Sequence, residues 1–212
     1  MSIWAIIPVK PLSRGKSRLS EVLSPEERQR LSEMLFRRVL TAVKGTPQVA
    51  GTLVISRDPR ALAIARDMSA HTVQESGAPE LNNALMRATQ VVGGWRGGAV
   101  LILPADLPLV TPEDLSGMIA LGQDNLTVVI ATDQRDDGTN AMLVRPPGLF
   151  QYAYGTESFH RHIDLAKAAG ASVKVFRSDR LALDIDVPAD LEAYYRLTGS
   201  GQEVSLTPDG TV

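Results

Sequence analysis

The stretch AVLILPADLPLVTPED, residues 99–114, decides the reading of this chain. Residues 99–103 are apolar without interruption and too few for a helix, the pattern of a strand buried on both faces. Thr111-Pro112-Glu113-Asp114 then gives an N-cap, a proline at the first helical position and acids in the first turn, which together open a helix. A buried strand, a turn and a capped helix form one α/β unit. Asp106, set between two prolines, falls in the turn just past the strand.

The same grammar recurs on both sides. Residues 3–9, IWAIIPV, read as a first buried strand. Ser24-Pro25-Glu26-Glu27 opens a helix whose Leu31, Leu35, Val39 and Val43 return about once per turn up to Gly45. Strands are expected at residues 52–56, 71–75, 126–132, 141–144 and 172–177. Helices are expected from Asp58-Pro59, over 79–92, over 157–169 and after Pro188. This alternation predicts a three-layer α/β/α sandwich on a mostly parallel, mixed sheet, Rossmann-like in its layout. Its 212 residues suit one domain, residues 1–197, followed by a polar tail, 198–212, expected to be flexible.

Composition removes several function classes. A formal net charge of −2 argues against a nucleic-acid partner, which needs a basic surface. No apolar stretch is long enough for a membrane span and no basic segment precedes the first strand, so the expected compartment is the cytoplasm. Without cysteine there is no thiolate nucleophile, disulfide or thiolate metal site.

In such a sheet ligands gather beyond the carboxyl ends of the strands. Asp106 lies there. In LDIDVP, Asp184 and Asp186 flank Ile185, so an extended chain turns both carboxylates to one side. Facing carboxylates repel unless a cation lies between them, and Mg²⁺ takes a few carboxylate oxygens while substrate phosphates complete its shell. Asp106 and Asp186, with Asp184 beside them, form the candidate Mg²⁺ site; either acid of DIDVP could instead cap the helix opened by Pro188. The loop after the first strand supplies the opposite charge. Lys10, Arg14, Lys16 and Arg18 form a candidate anion cradle, although GKS is not a P-loop, because Lys10 stands where the motif requires glycine. Cations facing acids describe a phosphoryl or nucleotidyl transfer site. A nucleotide-binding sensor domain is the non-catalytic alternative.

The order IPVKPLSRGKSRL, ELNNAL, LPADLPLV, DDGTNAML and LDIDVPADLE resembles the phosphoenolpyruvate and 2-phospho-L-lactate guanylyltransferases of deazaflavin coenzyme F(420) biosynthesis, over most of residues 3–196. PADLP and DIDVPADL are shared with the wider superfamily, so a molybdenum-cofactor or sugar-phosphate nucleotidyltransferase is the alternative. The reduced glycine content of the first loop, Gly15 alone, favours the guanylyltransferases. The resemblance implies GMP transfer from GTP to the phosphate of a small acid, phosphoenolpyruvate before 2-phospho-L-lactate or 3-phospho-D-glycerate, with release of diphosphate. It also implies Lys16 and Asp106 in catalysis, Asn82 and Gln74 near the base or ribose, Thr139, Gly155 and Ser158 on the acceptor, and a homodimer. Free N–H groups at the helix start after Gly155 are expected to add to that anion site. In FHRHID, His160 and Asp164 share a helical face that could hold zinc while His162 faces elsewhere; exposed polar residues explain the pair better. Trp4 and Trp95 read as packing residues.

Overall fold

The computed structural model describes residues 2–77 and 80–199. Seven strands, β1 (Ile3–Val9), β2 (Val49–Ser56), β3 (His71–Gln74), β4 (Ala99–Ile102), β5 (Thr127–Thr132), β6 (Thr139–Arg145) and β7 (Ser172–Val175), form one sheet in the order β3-β2-β1-β4-β6-β5-β7. The helices are α1 (Pro25–Lys44), α2 (Pro59–Asp67), α3 (Leu81–Gly94), α4 (Pro112–Leu121), α5 (Ser158–Ala168) and α6 (Pro188–Thr198). Strand β6 runs antiparallel to both its neighbours, and every other pairing is parallel. The mixed, mostly parallel three-layer sandwich expected from the sequence is the fold.

Period-two alternation assigns the faces. Ala5, Ile7 and Val9 of β1 pack with Phe36, Val39 and Val43 of α1, Leu62 of α2 and Leu115 and Met118 of α4. Ile6 points the other way and joins Leu85 and Val92 of α3 and Phe159 of α5. A third cluster ties Leu19, from the loop after β1, to Leu35 of α1, to Leu183 and Ile185, and to Leu191 of α6. Apolar contact thus clamps the basic loop to the acidic segment.

The chain moves outward through β1, β2 and β3 and returns to place β4 on the other side of β1. That reversal opens a crevice beyond the carboxyl ends of β1 and β4, where open α/β sheets bind ligands. Strand β2 starts earlier than expected, at Val49, because Gly51 opposite Trp4 leaves room for the indole; a Cβ there would lie 2.5 Å from the ring. Trp4 also packs against the tilted ring of Trp95 at 4.7 Å between ring centres, a packing role. Residue 79, the expected first residue of α3, lies outside the described residues, as do residues 200–212 of the tail. Among the described residues no helix is long and apolar enough to cross a membrane.

Candidate active site

Two turns of 3₁₀ helix, Leu12–Arg14 and Ser17–Leu19, fold the loop after β1 back over the sheet edge. Gly15 sits between them against α1, where a Cβ would approach Ser32 Oγ to 2.7 Å. Lys16 follows in the left-handed region, at φ 57°, a conformation uncommon for a residue with a side chain. This turn carries its ammonium under the loop to Asp106 Oδ2 at 2.7 Å and Asp186 Oδ1 at 3.1 Å.

The three partners are not equally sheltered. The Lys16 side chain is 7% exposed, that of Asp106 28% and that of Asp186 49%, so the ammonium is the buried member and the carboxylates face the cleft. Burial is the largest single influence on Lys16 and pulls its pKa down. Attraction to Asp106 and then Asp186, with the hydrogen bonds to both, outweighs it and leaves Lys16 above its ordinary 10.5, fully charged.

Asp184 has no such ion pair. Its Oδ1 accepts from Asn140 Nδ2 at 3.3 Å, and Asn140 also donates to the Leu181 carbonyl at 2.9 Å. Burial first, then repulsion from Asp106 and Asp186, pushes Asp184 up to about 6. The DIDVP segment lies outside the sheet, yet it keeps the alternation, with Leu183 and Ile185 buried and the acids turned outward. The Ile185 N–H donates to the Asp106 carbonyl at 3.3 Å and registers the two acid segments. Neither acid caps α6. Asp190 does that, accepting from the N–H groups of Asp186 and Val187 at 2.9 and 2.8 Å. Among the described residues no three carboxylate or imidazole groups converge into a preformed metal cage, because Lys16 stands between Asp106 and Asp186.

The acidic segment is held from behind. Arg180 forks onto the buried Asp114 of α4, Nε to Oδ2 at 2.7 Å and Nη2 to Oδ1 at 2.8 Å, and Ser178 Oγ donates to Oδ1 at 2.8 Å.

Two clefts meet at Asp106. The larger, about 550 Å³, is lined by Lys10, Arg14, Lys16, Arg57, Glu75, Glu80 and Asp186 among others. The smaller, about 190 Å³, is lined by Gly138, Thr139, Asn140, Tyr154, Ser158 and Asp184. Pro8, Leu81, Pro104 and Asp106 belong to both walls.

The fold therefore gathers Lys10, Arg14, Lys16, Asp106, Asp184, Asp186, Thr139 and Ser158 into one crevice. Arg18, Gln74, Asn82 and Gly155 do not line either cleft. Arg18 and Gln74 are exposed. Asn82 is spent on structure: it accepts from the Tyr154 N–H at 2.7 Å and donates to Glu80 at 3.0 Å, tying α3 to the segment before α5. Gly155, at φ 125°, shapes the backbone of that segment. The expected free N–H groups at the start of α5 are not free. Glu157 N–H donates to Asp137 Oδ1, Ser158 N–H to the Gly155 carbonyl and Phe159 N–H to the Asp137 carbonyl. The tight Asp137–Glu157 junction consumes them, so any anion held there relies on side-chain hydroxyls. His160 and Asp164 are exposed and line neither cleft.

Arg57 and Glu75 were missed although they directly follow β2 and β3, the position that singled out Asp106. They pair at 3.2 Å on the wall of the larger cleft. Glu80 was hidden by the expectation that α3 begins at 79. It is the N-cap, accepting from the N–H groups of Asn82 and Asn83.

The parallel-dominated sheet, with acids and a lysine at its switch point, is a fold found among solved nucleotidyltransferases. A nucleotidyl transferase from Methanothermobacter thermautotrophicus shares the architecture, with a TM-score of 0.71 at 17% identity over 92% of this chain and 99% of that one. Within that class the chain belongs to the family described as Guanylyl transferase CofC like, whose model matches residues 3–205. It is 38% identical to the phosphoenolpyruvate guanylyltransferase of Rubrobacter xylanophilus, over 95% of this chain and 96% of the relative. It is 34% identical to the 2-phospho-L-lactate guanylyltransferase of M. thermautotrophicus, over 90% and 83%. The protein is a guanylyltransferase.

Proposed function

We propose that the protein joins GMP from GTP to the phosphate of phosphoenolpyruvate, with 2-phospho-L-lactate and 3-phospho-D-glycerate as competing acceptors. The observation that carries this is the shared wall. Asp106 and its Lys16 partner stand where a larger, cation-lined cleft meets a smaller, hydroxyl-lined one. A donor nucleotide in the first and a small acid in the second bring their reacting phosphates together at that wall. The choice of phosphoenolpyruvate rests on the naming of similar relatives.

In the reaction an oxygen of the acceptor phosphate attacks the α-phosphorus of GTP, a new P–O bond forms, and the bond to the β-phosphate bridging oxygen breaks to release diphosphate. A phosphate monoester is already largely dianionic near neutral pH, so no protein base has to remove a proton. Lys10 and Arg14 attract the triphosphate, and Lys16, held charged by its two acids, neutralises charge on the transferred group. Thr139 and Ser158 orient the acceptor through hydroxyl donors that add no charge.

The residues fit Mg²⁺. Three acids gather around one lysine, repulsion from Asp106 and Asp186 adds to the burial that raises the Asp184 pKa, and hard oxygen donors suit this ion. Asp106 and Asp186, with Asp184 behind them, would hold it, and when bound it would clamp the phosphates and offset their charge.

The test is direct. GTP with the three acids at equal concentration should yield diphosphate and a guanylylated product, identified by mass spectrometry, with the phosphoenolpyruvate product in excess. A preference of about tenfold for another acid, ~1.4 kcal/mol, would reverse the acceptor assignment. No product from any of the three would sink the function.

A further inference from the structure

His162 takes no part in the chemistry above, yet it is wholly buried directly behind the smaller cleft. Its ring lies between two protein partners. The Ala153 backbone N–H donates to Nε2 at 2.9 Å, and Nδ1 lies 2.9 Å from Thr139 Oγ1. An amide N–H can only donate, so Nε2 must be the unprotonated nitrogen and the ring proton must sit on Nδ1. Nδ1–H therefore donates to the Thr139 oxygen. The Tyr154 ring meets the imidazole edge-on at 4.7 Å and holds its plane. Burial, and secondarily the charge of Arg161, lowers the His162 pKa to about 4, so the ring is neutral near neutral pH and Nε2 can accept.

The Thr139 hydroxyl accepts from His162 on one lone pair, so its proton is left to give. Ser158 is in the same state: its Oγ accepts the Thr139 N–H at 3.0 Å, so its proton is also available. Both residues line the smaller cleft. Left alone, a hydroxyl donates and accepts equally well. Here two are biased to donate, which suits an anion and opposes a ligand that presents N–H or O–H groups.

We infer that His162 is a positioning residue for the acceptor: by occupying the Thr139 oxygen through Nδ1–H, it turns the Thr139 hydroxyl proton toward an anionic oxygen of the ligand in the smaller cleft. This rests on the assignment of that cleft to the phosphorylated acid.

Two substitutions separate this role from packing. In His162→Asn the amide nitrogen takes the place of Nδ1 and keeps the donor to Thr139. In His162→Gln the amide oxygen takes the place of Nε2, serving Ala153 and leaving Thr139 without its donor. His162→Gln is expected to raise the KM for phosphoenolpyruvate about tenfold, with kcat and the KM for GTP within about twofold of the parent. His162→Asn is expected to stay within about threefold of the parent in all three, although both variants lose thermal stability. Equal KM increases in both, following their Tm losses, or no increase in His162→Gln, would overturn the inference. Two-bond ¹⁵N–¹H correlation of the labelled parent should show protonated Nδ1 and unprotonated Nε2, and the reverse tautomer would overturn the inference even if neither variant folds. Calorimetric titration of the same proteins with phosphoenolpyruvate separates the two levels. A parent that binds the acid without turnover leaves the inference to be decided by the variants' Kd and sinks the function alone. A parent that does not bind it sinks both.

Discussion

Replacing Arg180 with alanine tests how the acidic segment is held in place. The guanidinium makes two short hydrogen bonds to Asp114, a carboxylate only 2% exposed, while its own side chain is 51% exposed. The asymmetry sets the size of the effect. Removing the arginine strands the buried charge with the hydroxyls of Ser178 and Thr111 and the Thr111 N–H as its remaining donors. A fully buried pair loses ~3–5 kcal/mol when broken, and an exposed one ~0–1. With one member buried and the other half in water, about 2 kcal/mol is expected. For a chain of this size that corresponds to a Tm fall of about 4–8 °C. Because Arg180 sits a few residues before Asp184 and Asp186, kcat/KM should fall about 3- to 10-fold, ~0.7–1.4 kcal/mol. The deficit should also depend on pH. Burial is the largest influence on Asp114 and raises its pKa, but hydrogen bonds from Arg180, Ser178 and Thr111 outweigh it and hold the carboxyl below its ordinary 3.8. A depressed carboxyl pKa contributes stability that is present above the unfolded value and lost as pH falls through the folded one. The gap between parent and variant should be full near neutral pH and close below about pH 4. Thermal melts across pH, with steady-state kinetics, make the measurement. A variant melting within about 1 °C of the parent at pH 7, with unaltered turnover, would refute the reasoning.

Asp106→Ala and Asp186→Ala should each cost more than about tenfold in turnover, over ~1.4 kcal/mol, with far-UV circular dichroism unchanged; retained activity in either would remove it from the phosphate-binding machinery. Lys16→Ala should raise the KM for GTP or lower kcat more than it affects the acceptor, and a defect confined to the acceptor KM would move the ammonium to the other cleft. Asn82→Ala should lose ~1–2 kcal/mol of stability, because the Tyr154 N–H loses its acceptor, while the KM for GTP holds within about twofold. A raised KM at unchanged Tm would instead place the Asn82 amide on the nucleotide. His162 is protonated in the unfolded chain below 6.5 but in the folded protein only near 4, so it contributes stability present above 6.5 and lost as pH falls toward about 4. That interval represents ~3 kcal/mol, and the Tm advantage of the parent over His162→Asn should shrink across it; a constant difference would show that the ring does not titrate as a buried group.

Much of the architecture was legible in the chain because it depends on local causes. Period-two and period-3.6 patterns, the capping boxes at Ser24 and Thr111, and prolines at first helical positions act within a few residues. Among the described residues they found every strand and every α-helix, though not the two 3₁₀ turns of the loop after β1, and their position relative to strand ends brought out Asp106 and the basic loop. The sequence order of motifs carried the family as well. Element edges were less legible, since β2 gains its first residues only through the fit of Trp4 over Gly51.

The partnerships inside the site were settled by tertiary structure. No local rule places Lys16, in a left-handed turn, between acids 90 and 170 residues away, or gives Asn82 to a backbone amide 72 residues on. The free N–H groups expected at the start of α5 were plausible from the residues flanking it. They are consumed by Asp137 and Gly155, which only the packed turn brings within reach. His162 looked like the idle member of a helical histidine pair because periodicity shows which face a residue occupies, not what that face meets. Here it meets Thr139 from β6 and the Ala153 backbone, and the direction of one amide proton fixes the tautomer. Local sequence sets the conformations a segment can adopt; which charges and protons face each other is decided by the distances that folding closes.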